Sequence, residues 1–209
     1  MNKAGRDQKI KSIIKLEEKI CRCERCASLI KCTSKPSLGK GDIEPQVLLV
    51  FECENNNTRD IDWIIALRNS IKNLFHIDSV YHTFMVRCQP KACTRPSNSC
   101  FPTNKLLDRN NICILNNKLC DGIPIKPFNE EIINCLTYLL EEIAVLKPDY
   151  VILFGPRVSD FVLKSYGIIH PELIEPYYKY ESITFLSTVE DKSYELAELE
   201  KMAFQIKDN

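Results

Sequence analysis

Four cysteines of the chain have a spacing and a context that suit metal binding. Cys23 and Cys26 form a Cys-x2-Cys pair after a charged helical segment, so both thiolates can reach one centre from a single turn. Cys88 ends an expected strand, and Cys135 lies on the apolar face of an expected helix. Four thiolates that converge in the fold can bind a 4Fe–4S cluster and equally a zinc ion.

Other cysteines leave alternatives open. Cys21 and Cys32 stand close to the first pair and compete with it as ligands. Cys53 follows an apolar strand and is expected to be a packed thiol. The remaining four cysteines stand in two Cys-x6-Cys pairs, and they predict either a small zinc site or free thiols: Cys93, Cys100, Cys113 and Cys120.

Composition favours an intracellular protein. Eleven cysteines in 209 residues is a high number, but residues 1–12 contain no apolar run of the kind that a secretion signal needs. No stretch approaches the length of a membrane span. We therefore expect a reduced, cytoplasmic chain without membrane contact, most simply a monomer, in which clustered cysteines bind metal.

The balanced net charge hides an uneven distribution. Residues 1–40 carry 11 Lys and Arg against 4 Asp and Glu, and residues 87–127 carry 7 against 2. Residues 171–200 carry 2 against 8. Such regions can form a polarised surface that contacts phosphate on its basic side, although ordinary solvated faces give the same counts.

Strands alternate with helices along most of the chain. The expected strands are 46–51, 80–86, 150–154 and 183–187. The expected helices are 8–22, 61–75, 132–146, 158–163 and 190–205. This order predicts one α/β domain over residues 1–209, a three-layer α/β/α sandwich around a central four-stranded parallel sheet. Residues 89–127, rich in proline, asparagine and cysteine, are expected to be an irregular insertion.

Ligands of parallel sheets bind where the strands end at their carboxyl termini. The expected site is therefore built from loops 52–60, 87–95, 155–157 and 187–193.

Several stretches together resemble the family 4 uracil-DNA glycosylases, which carry an iron–sulfur cluster. The matching stretches are 23–29 (CERCASL), 39–42 (GKGD), 80–90 and 129–155. The resemblance implies the fold of that superfamily and a cluster held by the cysteines at positions 23, 26, 88 and 135. In the family the third and fourth ligands stand closer in sequence, whereas here the 89–127 insertion separates them.

The resemblance also implies a reaction, in which a base is flipped out of DNA and its N-glycosidic bond is hydrolysed. The family's Gly-Glu-Ala-Pro-Gly motif aligns with residues 51–55, so Glu52 is the expected water-positioning acid, with Asp60 (or Asp62) as its substitute. If two residues are deleted, Trp63 aligns with the aromatic residue that stacks on the base; core packing at the start of the 61–75 helix is the alternative.

Two further motifs depart from the family pattern. Phe84 stands where the family has a base-reading asparagine, and either Phe84 or Trp63 is expected to lie against the base. Ser187 and Thr188 begin the stretch that replaces the family's His-Pro-Ser motif, and its histidine is missing. Recognition of ordinary uracil is therefore doubtful, and a larger modified or damaged base becomes the expected substrate.

Three functions remain open at this stage. The first is a DNA glycosylase acting in repair or in defence against phage DNA. The second is a catalytically degenerate iron–sulfur module that binds DNA or a protein. The third, redox sensing, is the least favoured, since four cysteine ligands leave no open iron site.

Overall fold

The computed structural model describes residues 3–26, 36–92, 123–169 and 177–191, with isolated positions at 112, 117, 197, 200 and 203. Positions 197, 200 and 203 are helical, within the expected C-terminal helix. The remaining part of that expected helix lies outside the described residues.

Five helices lie in the described ranges: α1 (Lys3–Cys21), α2 (Asn56–Arg59), α3 (Ile61–Phe75), α4 (Asn129–Leu146) and α5 (Pro156–Ser165). Local sequence explains several of their ends. Asp60 caps α3 by accepting hydrogen bonds from two backbone N–H groups of its first turn. Lys147 ends α4 in the left-handed conformation, directly before Pro148, which cannot continue a helix.

Eight strands lie in the same ranges: β1 (Lys40–Gly41), β2 (Val47–Phe51), β3 (Val80–Phe84), β4 (Lys91–Ala92), β5 (Ile123–Pro124), β6 (Tyr150–Phe154), β7 (Tyr177–Tyr180) and β8 (Ile183–Thr188). Six of them form one sheet in the order β1-β3-β2-β6-β8-β7. Strands β3, β2, β6 and β8 pair in parallel, and β1 and β7 pair antiparallel at the two edges.

The α/β class expected from the sequence is confirmed, but the sheet is mixed and has six strands instead of four. Both additional strands are edge strands with weak sequence signals. β1 has only two residues. β7 returns into β8 through a turn in which Glu181 has a φ of 50°, so the usual glycine signal of a tight hairpin is missing.

Helices cover both faces of the sheet. On one face, α1, α4 and α5 pack against alternate sheet residues such as Leu48 and Val50. On the other face, α3 packs against Val47, Leu49 and Phe51. This two-sided burial explains why β2 is a continuous apolar run, since neither set of alternating side chains meets water.

The chain beyond β3 stays beside β2 instead of leaving the sheet. The strand expected over 80–86 ends at Phe84, but the N–H groups of Met85 and Val86 donate to the carbonyls of Phe51 and Glu52. This turn places Arg87, Cys88 and Gln89 next to the carboxyl end of β2.

The ends of the expected insertion are joined, because β4 and β5 pair as a two-stranded ribbon. Cys93, Cys100, Cys113 and Cys120, the candidate second metal site, lie outside the described residues. None of the helices described is long and apolar enough to cross a membrane.

Candidate metal centre and adjoining pocket

The four cysteines singled out in the sequence line one cavity. Cys23 and Cys26 come from the segment after α1, Cys88 from the bend after β3, and Cys135 from the first half of α4. The cavity between them has a volume of about 20 Å³. Residues separated by more than a hundred positions in sequence are thus brought together by the packing of α1 and α4 on the same face of the sheet.

Arg25 fixes the Cys-x2-Cys segment onto α4. Its guanidinium donates to the carbonyl of Asn134 at 3.1 Å and to the hydroxyl of Thr137 at 2.6 Å. It also lies 4.4 Å from the centroid of the Tyr138 ring, within the range of a cation–π contact. The residue between the two cysteines therefore positions both of them against the helix that carries Cys135.

Hydrogen bonds reach the thiols of Cys23, Cys26 and Cys135. The N–H of Arg87 donates to Sγ of Cys135 at 3.3 Å, and Nδ2 of Asn134 lies 3.9 Å from Sγ of Cys26. Burial and then a hydrogen bond with Cys23 raise the pKa of Tyr138 to about 12. Such donors to ligating sulfurs are the outer contacts that orient metal ligands and adjust their charge.

Burial raises the pKa of the Cys135 thiol. The N–H donor and the positive charge of Arg87 act in the opposite direction and favour the thiolate. A bound metal favours the thiolate far more strongly, because the thiolate is the form that ligates.

The four thiols of the cavity are a ligand set that both a zinc ion and a cubane cluster use. A zinc ion draws its four sulfurs to about 2.3 Å from one point. A cubane cluster instead fills the space between its thiolates with its own iron and sulfide. Among the residues described, no three His, Cys, Asp or Glu side chains are grouped closely enough to hold a single metal ion. Cys21 is exposed and does not line the cavity, and Cys32 lies outside the described ranges.

A second pocket lies at the carboxyl edge of the parallel strands and adjoins the cysteine cavity. Cys88 lines the cavity, whereas its neighbour Gln89 lines this pocket. All four loops expected to form the site contribute to it, through Glu52, Gln89, Arg157 and Glu190 among others. Its volume is about 80 Å³.

Charged side chains in this pocket are paired across it. Arg157 Nη1 lies 2.7 Å from Glu52 Oε1, and Lys126 Nζ lies 2.5 Å from Glu190 Oε1. The hydrogen bond with Glu190 raises the pKa of Lys126, which keeps its ammonium charged. Nδ2 of Asn55 donates to Oδ2 of Asp191 at 2.9 Å and joins the loop after β2 to the loop after β8.

The residues expected to act on the substrate separate into two groups. Glu52 lines the pocket and is partly exposed. Asp60 does not line it, because its carboxylate caps α3. Trp63 and Phe84 pack with Phe51 in the core, at ring centroid distances of 6.1 and 6.3 Å.

Ser187 and Thr188 lie on β8, next to the pocket but not in its lining. The Ser187 hydroxyl is buried with no hydrogen-bond partner in the described part of the chain.

Two residues of the pocket were not expected from the sequence. Lys126 lies in a segment without a recognisable motif, and only the fold brings it into contact with Glu190 of the expected 187–193 loop. Phe154 lines the pocket and stacks on Phe51 at 4.7 Å, but in the sequence it reads only as the last residue of a buried strand. The position of Phe154 at a strand end was the one signal that could have indicated it.

No protein-family model matches this chain, and a search of curated proteins found no match.

Proposed function

We propose that the chain is a DNA glycosylase-like protein that carries a 4Fe–4S cluster and hydrolyses the N-glycosidic bond of a damaged or modified base. The single observation that carries the proposal is the contact of two sites. A cavity lined by four cysteines adjoins a carboxylate pocket at the carboxyl edge of the sheet, through the consecutive residues Cys88 and Gln89. The fold proposed is the three-layer sandwich of the uracil-DNA glycosylase superfamily, with β3, β2, β6 and β8 as its central parallel strands.

The residues around the cysteine cavity fit a cluster. The four thiols come from three elements, and N–H donors reach Cys26 and Cys135. A bound cluster would cross-link these three elements, and its role would be structural. By fixing Cys88 it also fixes Gln89 and therefore one wall of the substrate pocket.

Glu52 is the residue best placed to activate water. Its carboxylate stands at the end of β2, and Arg157 orients it through a contact of 2.7 Å while also donating to Asn129 at 2.7 Å. A carboxylate in this position can align a water molecule for attack on the sugar carbon and stabilise the positive charge that develops as the base departs. One proton of the water passes to Glu52 as the water oxygen bonds to the carbon, and the base leaves with the electron pair of the broken C–N bond and takes a proton from solvent.

Cationic groups beside Glu52 suit the phosphates of the substrate. Arg157 and Lys126 both line the pocket, and residues 1–40 and 87–127 carry an excess of Lys and Arg. Entry of a nucleotide would exchange the contact between Lys126 and Glu190 for a contact between Lys126 and phosphate.

The base itself is expected to differ from uracil. Phe84 replaces the family's base-reading asparagine and is 3% exposed in the core, so it offers no polar contact to a base edge. Phe154 lines the pocket but is buried to the same degree, at 2% exposed, so the polar side chains of the pocket are left as the candidates for contact with a flipped base.

The experiment is a screen of duplex and single-stranded oligonucleotides that carry uracil, hypoxanthine, oxidised bases or hypermodified pyrimidines. The protein is purified without oxygen, and abasic sites are detected by alkaline cleavage. Activity on at least one substrate, lost in Glu52→Gln and kept in Glu54→Gln, supports the proposal. Glu54 is a suitable control because it lies in the same loop but pairs with Arg59.

The second candidate function is a binding module without catalysis. It is favoured by the ion pair that already engages Glu52 and by the use of Asp60 as a helix cap. If no substrate yields abasic sites but the protein still retards DNA in a gel, the binding module replaces the glycosylase.

A further inference from the structure

A buried ion pair lies beside the cysteine cavity. Arg87 and Glu142 are 1% and 2% exposed, and their side chains meet at 2.5 Å. Burying two charges costs free energy that their attraction repays only when the other polar atoms also find partners. The hydrogen-bond partners of each residue therefore indicate the role of the pair.

Glu142 is fully provided with donors. The hydroxyl of Tyr81 donates to Oε1 at 3.0 Å, and the hydroxyl of Thr83 donates to Oε2 at 2.6 Å. Arg87 adds a third donor. The carboxylate is thus anchored to β3 on one side and to Arg87 on the other.

Arg87 is not satisfied in the same way. Its Nε and Nη1 are buried without a hydrogen-bond partner in the described part of the chain. These two nitrogens carry three N–H groups, and each unpaired buried donor costs about 1–3 kcal/mol. Arg87 also lines the cysteine cavity, and its charge acts on the Cys135 thiol. Although Arg87 already pairs with Glu142, its spare donors at this place can serve a second acceptor in the cavity.

We propose that Arg87 is the counter-charge and hydrogen-bond donor of the cluster, and that Glu142 holds its guanidinium in place and moderates its charge. The inference rests on the 4Fe–4S cluster proposed above. Four thiolates give such a cluster a net negative charge, and its sulfides and thiolates accept hydrogen bonds. Arg87 is thereby a positioning residue that adjusts the reduction potential and does not touch the substrate.

Arg87 and Glu142 must then shift the potential in opposite directions. Reduction adds negative charge to the cluster, so a nearby cation favours the reduced form and a nearby anion disfavours it. Arg87→Met removes the cation and should lower the potential. Glu142→Gln keeps the shape of the side chain, removes the anion and should raise the potential.

The test is a spectroelectrochemical titration of the full chain, purified anaerobically, in which the visible absorption of the cluster is followed. For Arg87→Met we expect at least a tenfold loss in the equilibrium constant for reduction, which is about 59 mV for a one-electron couple. Glu142→Gln should shift the potential upward, and Arg87→Lys should stay closer to the wild type than Arg87→Met. Arg68→Met is the matched control. It removes the same positive charge, but Arg68 pairs with Asp42 at the β1 edge of the sheet.

Equal potentials, or shifts of both variants in the same direction, would overturn the assignment and leave the cluster standing. A wild-type protein with zinc and no visible absorption would overturn the cluster itself and this assignment with it. If Arg87→Met does not fold, Glu142→Gln decides alone, since a purely structural role predicts lower stability without an upward shift of potential.

Discussion

Arg157 reaches from the first turn of α5 to the carboxylate of Glu52 at the end of β2, with 2.7 Å between Nη1 and Oε1. The Glu52 side chain is 18% exposed and that of Arg157 is 28% exposed, so the pair is neither a screened surface contact nor a sealed core pair. It joins two of the loops that surround the pocket. The contact orients the proposed catalytic carboxylate before any substrate arrives.

The first prediction concerns this orientation. Arg157→Gln should reduce the single-turnover rate of base release by about 10- to 100-fold, because small misplacements of a catalytic group have effects of this size. Glu52→Gln should lose about 100-fold or more, and the double variant should be no slower than Glu52→Gln alone. Lys164→Gln, an exposed change on the same helix, controls for charge. A wild-type rate in Arg157→Gln would show that the pair does not assist catalysis.

The second prediction concerns the cluster ligands. Replacing Cys23, Cys26, Cys88 or Cys135 with serine should remove most of the bound iron and most of the visible absorption. Each change takes away one of the four thiolate ligands. Cys21→Ser should keep both, since Cys21 is exposed and outside the cavity. Iron analysis and the spectrum after anaerobic purification provide the measurement. Loss of iron in Cys21→Ser together with retention in Cys23→Ser would assign the ligand to Cys21 instead.

The third prediction concerns Arg25. Arg25→Ala should lower the free energy of unfolding by about 1 kcal/mol, because it removes two hydrogen bonds to α4 near the surface. It should also speed the loss of iron to a chelator, since the segment with Cys23 and Cys26 is held less tightly. Urea unfolding and the rate of bleaching measure the two effects. Arg22→Ala, at an exposed arginine of the same segment, is the control, and equal bleaching rates in the two variants would contradict the role given to Arg25.

The fourth prediction concerns pH. Burial first, and then the charges of Arg68 and Lys40, lower the pKa of His82 to about 4. Its unfolded value is about 6.5, so below that pH the unfolded chain binds a proton that the folded chain resists. Stability should therefore be unaffected by His82 above about pH 6.5 and should fall towards pH 4, by up to about 3 kcal/mol.

Urea unfolding of the wild type and of His82→Gln between pH 4 and pH 7.5 measures this contribution. The variant should show a shallower loss of stability towards low pH, because its side chain binds no proton. Parallel pH profiles would show that other groups cause the acid sensitivity.

Much of the scaffold could be predicted from local patterns. Continuous apolar runs predicted β2 and β6, and helical periodicity predicted α3 and α4. These predictions were correct because burial on one or two faces of an element sets the spacing of its apolar residues. The edge strands β1 and β7 were missed, because two residues or an atypical turn leave no such trace.

The expected site residues lie in different surroundings. Glu52, which a motif and a strand end both indicated, lines the pocket. Trp63 and Phe84 were expected at the substrate but pack in the core, since an aromatic side chain suits either place and only the surrounding packing distinguishes them. Asp60 was expected as a second acid but caps a helix, a role that its sequence position allows equally well.

Periodicity and spacing are local properties, so they were enough to indicate the α/β class and the cysteines worth testing. Tertiary packing brings four cysteines from three elements to one cavity and Arg157 to Glu52. It also decided that Glu142 and Arg87, 55 positions apart, are buried together beside that cavity. Contacts of this kind depend on how helices pack across a sheet, and no local pattern of residues records that packing.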